Sequence, residues 1–299
     1  MYKIAILGSE NSHAENFVKI IKGGYGMGDG YPDFEVIGAY GFSPDASERL
    51  KGLGVPRIAE NFDEFKGAVD AVMITARHGD NHLKFAMPYF KYGIPMFIDK
   101  HFTISEEEAL MLARMAKENG CALYGGSVVK TLTDIKALKK AAASAIKHEN
   151  NELGRIVSGS VSAPLIFMEG CGGFFFYSQH LAEMILEVFG PDIKSVQAFS
   201  KRDKAVVTVL CRYDDFDVTA HFGTEEYTVT LHTERKTIYK SIDIFTDGFE
   251  REFEAFAKTV RYNRMEISFD RLIRPVFVLN AINRSLESGK EEKIHNFEF

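Results

Sequence analysis

Residues able to do chemistry first appear together in one turn, Gly8-Ser9-Glu10-Asn11-Ser12-His13. A compact apolar run, Lys3–Leu7, precedes the turn. After it, Ser12–Lys22 has helical spacing, with Ala14, Phe17, Val18 and Ile21 on one face. Strand, turn and helix in this order are where an α/β fold can seat a pyrophosphate, because a helix N-terminus offers N–H groups and a positive dipole end. Of the fingerprint G-x-G-x-x-G only Gly8 is present. Glu10 replaces the second glycine and brings a carboxylate to the place where phosphates would approach. His13 replaces the third. Asn11 and Ser12 retain hydrogen-bonding side chains, but pattern alone favours a plain capped turn.

The second strand signal, Glu35–Tyr40, runs into Gly41-Phe42-Ser43-Pro44. An acid normally follows this strand and binds the adenosine ribose. With Gly41 there, a 2′-phosphate would meet no repulsion, so NADP is permitted and Ser43 is placed to bind it. A simple turn before a helix accounts for the segment equally well. Gly23, Gly24, Gly26, Gly28 and Gly30 crowd a later loop at the amino edge of the sheet, opposite the edge where ligands of such sheets sit, so they read as a surface loop. No His, Asp or Glu pair has metal-ligand spacing, and no metal is expected. Cys121, Cys171 and Cys211 are scattered and read as reduced thiols.

These groups must be positioned by a chain of 299 residues with 36 Lys+Arg against 42 Asp+Glu. That acidity argues against a nucleic-acid backbone as partner, which needs a basic face. No apolar run reaches the ~20 residues of a membrane-spanning helix. The N-terminus reads as a strand and not as a signal peptide, so a cytoplasmic protein is expected. Strand signals at Ala71–Thr75, Pro95–Asp99 and Ala122–Tyr124 alternate with helix signals at Asp80–Tyr92 and Ser105–Asn119. This alternation predicts an α/β class chain that begins with a Rossmann-like doubly wound parallel sheet. After Gly126 the pattern changes. Helices are expected at Thr133–Lys147, His180–Phe189, Phe249–Arg261 and Asp270–Ser288. Strand-like runs follow one another from Ser195 to Ile244, predicting a mostly antiparallel open sheet. The expected domains are 1–126 and 127–299.

The stretch Phe97-Ile98-Asp99-Lys100-His101-Phe102-Thr103-Ile104-Ser105-Glu106-Glu107-Glu108-Ala109 resembles the Glu-Lys-Pro segment of the Gfo/Idh/MocA oxidoreductases and its following helix. Asn81-His82-Leu83-Lys84 is similar to that family's histidine-bearing helix. Phe176-Tyr177-Ser178-Gln179-His180-Leu181-Ala182-Glu183-Met184 is similar to its active-site helix, and 281–289 to its C-terminal helix. The resemblance implies a dinucleotide-binding domain followed by a substrate-binding and oligomerisation domain. It also implies a dehydrogenase or reductase that uses NAD or NADP on a hydroxyl of a sugar, inositol or related polyol, as a homodimer or homotetramer. Lys100 matches the motif lysine, which contacts the nicotinamide ribose and the substrate hydroxyl. Asp99 stands for the motif Glu. His101 stands for Pro, and because a cis bond before a non-proline costs about 3–4 kcal/mol, a trans bond is expected.

His180 matches the active-site histidine. The acid that pairs with it four residues earlier in better-known members is Phe176 here. Some members carry Tyr-x-x-His-x-x-Glu, matched by Tyr177, His180 and Glu183, so Tyr177 and Glu183 are expected to orient His180 or the substrate. The implied cofactor set is Gly8, Ser9, Asn11, Ser12, His13, Ser43, Thr75, His78, His82, Asp99 and Lys100. Lys130 and Arg77 are expected on the substrate, although an ordinary interdomain salt bridge accounts for Lys130 as well and a solvated loop for Arg77. The missing glycines, the missing ribose acid and Phe176 keep a second reading open: a cofactor-deficient member that binds a ligand or serves in an assembly.

Overall fold

The computed structural model describes residues 1–24, 29–147, 152–201 and 205–297. Gly26 and Gly28 of the glycine loop lie outside them. The chain divides into two compact units, Met1–Gly126 with Phe249–Ile273, and Ser127–Gly248 with Arg274–Phe299. The segment Phe249–Ile273, expected in the second domain from its place in the chain, therefore belongs to the first unit.

In the first unit, β1 (Tyr2–Leu7), β2 (Phe34–Tyr40), β3 (Ala71–Ile74), β4 (Met96–Asp99) and β5 (Leu123–Gly126) form a parallel sheet in the order β2-β1-β3-β4-β5. Ile4–Leu7, Ala71–Ile74 and Met96–Ile98 are fully buried, as strands covered on both faces must be. The order reverses between β1 and β3, and the carboxyl edge at such a reversal is where open α/β sheets bind ligands.

Helices α1 (Ser12–Ile21), α2 (Pro44–Gly52), α3 (Asp80–Ala86) and α4 (Glu106–Glu118) connect the strands. Asn11, Ser43 and Ser105 cap α1, α2 and α4 by accepting backbone N–H groups. The helix expected over 80–92 changes at Met87 into a 3₁₀ stretch, Met87–Tyr92, because Pro88 cannot donate to the α-helical ladder.

Further helices are α5 (Thr133–Ile146), α6 (Phe175–Phe189), α7 (Gly248–Tyr262) and α8 (Phe269–Ser288). Phe249, Phe253 and Phe256 of α7 pack edge-on against aromatic rings of the first unit: Phe17 meets Phe249, Tyr31 and Phe34 meet Phe253, and Phe97 meets Phe256. Their spacing along α7 puts one apolar face on the first unit's core, which fixes the segment's membership.

The second unit holds a seven-stranded sheet, β11-β10-β6-β9-β8-β7-β12. Its strands are β6 (Ile156–Ala163), β7 (Ser195–Lys201), β8 (Val206–Arg212), β9 (Asp217–Phe222), β10 (Tyr227–Thr233), β11 (Thr237–Ile242) and the short β12 (Glu292–Lys293). Only β6 and β9 pair in parallel; every other neighbour is antiparallel. Burial alternates along β8, β9 and β10, so one face is buried and the other half-exposed. Helix α6 starts at Phe175, five residues before the expected start at His180. The run of phenylalanines carries no capping signal, and its helicity comes from burial of Phe176, Leu181, Met184 and Ile185.

Candidate functional site

The first group of site residues lies at the carboxyl edge of the parallel sheet. Gly8 follows β1 with φ +107°, and a Cβ there would overlap the backbone of Ala76. The turns after β1 and β3 are thus in direct contact, and only glycine fits. Thr75 Oγ1 donates to Gly8 O at 2.9 Å, joining the same two turns. Gly8 N and Ser9 N both donate to Tyr40 O, at 2.7 and 3.0 Å. A Cβ on Gly41 would overlap Ser9, so Ser9 fills the space beside the end of β2.

Asp99, at the end of β4, is the centre of a buried cluster. Its Oδ2 accepts Asn11 Nδ2 at 3.1 Å and lies 2.7 Å from His13 Nδ1. Its Oδ1 accepts the Lys100 N–H at 2.7 Å. Burial by itself would raise the Asp99 carboxyl. The His13 ring, the Lys100 charge and the Lys100 N–H more than offset burial and hold it below its ordinary value. Asn11 does two jobs, since its Oδ1 accepts His13 N at 3.2 Å as the α1 cap. His13, in the third glycine's place, joins the start of α1 to the end of β4. Lys100 is only 6% exposed, which rules out a solvated surface lysine.

Glu10 is taken up by the turn after β3. Its Oε1 accepts Arg77 N at 3.0 Å, and Arg77 Nη2 donates to Glu10 O at 2.7 Å. Arg77, expected on the substrate, is thereby tied to the turn after β1. Ser12 opens α1 in an exposed position. Ser43 Oγ is engaged by Ala46 N at 3.3 Å as the α2 cap. His78 Nδ1 accepts Asp80 N at 3.2 Å.

His82 is fully enclosed, with Nδ1 2.8 Å from Phe102 O and Nε2 2.9 Å from Ala76 O. It braces the segment after Lys100 against the turn after β3. Burial lowers its pKa, with the two carbonyls opposing. The Lys100–His101 peptide is cis, which corrects the expected trans bond. That expectation weighed only the local cost, whereas the fold encloses the His101 ring and gives its Nε2 the Gly79 N–H at 3.0 Å.

The second group lies within the second unit, on α6 and on the 3₁₀ turn Val128–Thr131. His180 is buried in the second turn of α6, with Nδ1 2.6 Å from Ser127 Oγ. The Tyr177 and Tyr227 rings meet it edge-on, centroids 4.9 and 6.0 Å away. Glu183, expected to orient His180 or the substrate, has its oxygens on other partners. Its Oε1 accepts Ser127 N at 2.7 Å and Gln179 Nε2 at 2.8 Å, and its Oε2 pairs with Lys130 Nζ at 3.2 Å. Lys130 is thus held in a salt bridge, but one within the second unit and not the interdomain bridge that was the alternative. Burial raises the Glu183 pKa, with Lys130, Gln179 and Ser127 opposing. Tyr227, on β10, is likewise raised by burial and then by Tyr177.

Ser127 and Gln179 are participants that the sequence reading did not single out. Gln179 stands four residues before Glu183, a spacing that brings side chains together on a helix. Ser127, just after a strand ending in two glycines, carries only a turn signal. Among the described residues no group of three or more His, Cys, Asp or Glu could hold a metal ion, and no helix is long and apolar enough to cross a membrane.

No family model matches the chain, and no curated protein matches it. Solved structures match over its whole length. GenD2 from gentamicin A biosynthesis, solved in complex with NAD, has TM-score 0.84 at 16% identity, covering 99% of this chain and 97% of that one. The WlbA dehydrogenase of Bordetella pertussis, solved with NADH and UDP-GlcNAcA, has TM-score 0.81 at 14% identity, covering 99% of each chain. Myo-inositol 2-dehydrogenase of Lactobacillus plantarum has TM-score 0.79 at 15% identity, covering 98% and 99%. The chain thus has the Gfo/Idh/MocA fold, an α/β architecture with an N-terminal parallel sheet and a C-terminal, mostly antiparallel one.

Proposed function

We propose that this protein is an NAD- or NADP-dependent oxidoreductase acting on a hydroxyl-bearing carbon of a sugar, inositol or related polyol. The observation that carries the reading is the buried Asp99-Lys100 pair at the carboxyl edge of the sheet, locked to the start of α1 through Asn11 and His13. A dinucleotide fits the residues present. The Glu10 carboxylate is drawn to Arg77 N, the Arg77 guanidinium adds a cation to the same turn, and Gly41 leaves the end of β2 without an acid. Gly8, Ser9, Asn11, Ser12, His13, Ser43, Thr75, His78, His82, Asp99 and Lys100 would surround or support it. Bound nicotinamide would supply the hydride acceptor or donor.

The chain's own groups handle charge and proton. The Lys100 ammonium stabilises negative charge growing on the substrate oxygen. His180 takes or returns the hydroxyl proton. Tyr177 flanks His180, and Lys130 with Glu183 holds the turn beside it. The half-exposed face of the second sheet, with Thr208, Thr219, Thr228 and Thr230, supports association with further copies as a dimer or tetramer. The cytoplasm is the compartment this reading carries.

Titration with NADH and NADPH, followed by turnover assays on a panel of inositols and sugars, tests the proposal. It predicts saturable binding of at least one of the two and turnover that falls by orders of magnitude in Lys100→Ala. A second reading, a cofactor-deficient binding or assembly protein, has its own observation: Glu10 Oε2 is enclosed without a hydrogen-bond partner at the phosphate turn. Under that reading neither cofactor binds the wild type, and Glu10→Gly gains binding.

A further inference from the structure

We propose that Ser127 is the positioning residue of His180, holding Nδ1 so that Nε2 exchanges the proton with the substrate hydroxyl. The role of His180 rests on the reading above; the Ser127–His180 geometry does not.

Two neighbours on α6 itself fail to hold the ring. Phe176, one turn earlier, is apolar. Glu183, nearly one turn later, has its oxygens engaged by Ser127 N, Gln179 and Lys130. The contact to Nδ1 comes instead from Ser127 Oγ at 2.6 Å. Ser127 is fixed on both sides. Its N–H is bound to Glu183, and its Oγ accepts Val129 N–H at 3.3 Å. The Glu183 carboxylate therefore orients the serine, and the serine orients the histidine.

A hydroxyl differs from a carboxylate in this place. Like a carboxylate, it can accept Nδ1–H from a neutral ring and from an imidazolium, so one geometry serves both protonation states; unlike a carboxylate, it can also donate Oγ–H to a bare Nδ1. It adds no charge that would favour the imidazolium. The charged groups on the packed elements, Glu183 of α6 and Lys130 of the 3₁₀ turn, are paired with each other. Burial raises the Tyr227 phenol of β10, which therefore stays neutral, and the Tyr177 ring of α6 also lies edge-on to His180. The productive neutral tautomer then carries its proton on Nδ1, donated to Ser127, which leaves Nε2 as the base.

The test is the His180 tautomer and titration, read by nitrogen-15 NMR of the full-length protein in wild type, Ser127→Ala, Ser127→Thr and Ser127→Asp, with thermal melts to confirm folding. The proposal predicts an Nδ1–H tautomer in wild type and Ser127→Thr, its loss in Ser127→Ala, and an upward shift of the ring's titration in Ser127→Asp. In turnover, Ser127→Ala should lose kcat by about 100-fold with little change in KM, and Ser127→Thr should restore most of it. An Nε2–H tautomer in wild type, or a ratio and titration unmoved in Ser127→Ala, overturns the proposal. A protein without turnover would sink the oxidoreductase reading, while the tautomer would still decide the role of Ser127.

Discussion

Replacing Lys100 by Ala removes the buried ammonium at the end of β4 but leaves Asp99 bound to Asn11 and His13. Turnover should therefore fall by about 10²- to 10⁴-fold, measured as kcat, with a smaller change in cofactor binding measured by fluorescence. His101 and His82 give a second prediction, on stability. Burial, then His82, Lys100 and His78, pushes the His101 pKa well below its ordinary value, and burial lowers His82. In the unfolded chain both rings titrate near about 6.5. Below that pH the unfolded state binds more protons than the folded one, so stability is full above it and lost as pH falls toward the folded values. The slope is up to about 1.4 kcal/mol per pH unit for each ring. Urea unfolding on either side of pH ~6.5 should show this loss, and His101→Gln should make it shallower. Asp99, Lys100 and His180 were singled out because their segments resemble the Glu-Lys-Pro stretch and the active-site helix, and the structure buries all three. Ser127 was not, because a serine after two glycines looks the same whether it turns the chain or holds a ring.

At the scale of elements, the end of β2 shows why one sequence feature has the form it does. Gly41 replaces the ribose acid, and the structure supplies the steric reason: Ser9 already occupies the space a Cβ would need. Gly41→Asp should therefore lower the melting temperature, and pairing it with Ser9→Gly should recover part of the loss. Failure of the pair to recover anything would show that Ser9 is not the obstacle. Asn11 caps α1 and also binds Asp99, so Asn11→Ala should cost more than the ~1 kcal/mol of an ordinary cap, as read by denaturant unfolding. Strand and helix order could be read from apolar runs and caps, because those signals are local. The start of α6 could not, since no cap marks it and its helicity comes from burial. The 3₁₀ turn over Met87–Tyr92 was implicit in Pro88, which the helical periodicity around it hid.

At the scale of the whole molecule, Phe249–Ile273 leaves the chain's second stretch and completes the first unit. Phe253 is fully buried there against Tyr31 and Phe34. Phe253→Ala should thus destabilise the first unit by about 3–5 kcal/mol, seen as earlier loss of its hydrogen-exchange protection. Chain order suggested a single boundary near Gly126, and only packing shows that the chain returns, because the aromatic face of α7 carries no label for the core it joins. The sheet order and the Asp99 cluster put the cofactor question at the carboxyl edge of the first sheet, where Glu10 replaces a glycine. Fluorescence titration of the purified protein with NADH and NADPH tests that claim most directly. The account predicts saturable binding of at least one of them, unchanged or improved in Glu10→Gly. Absence of binding by both at millimolar concentration in the wild type would contradict it.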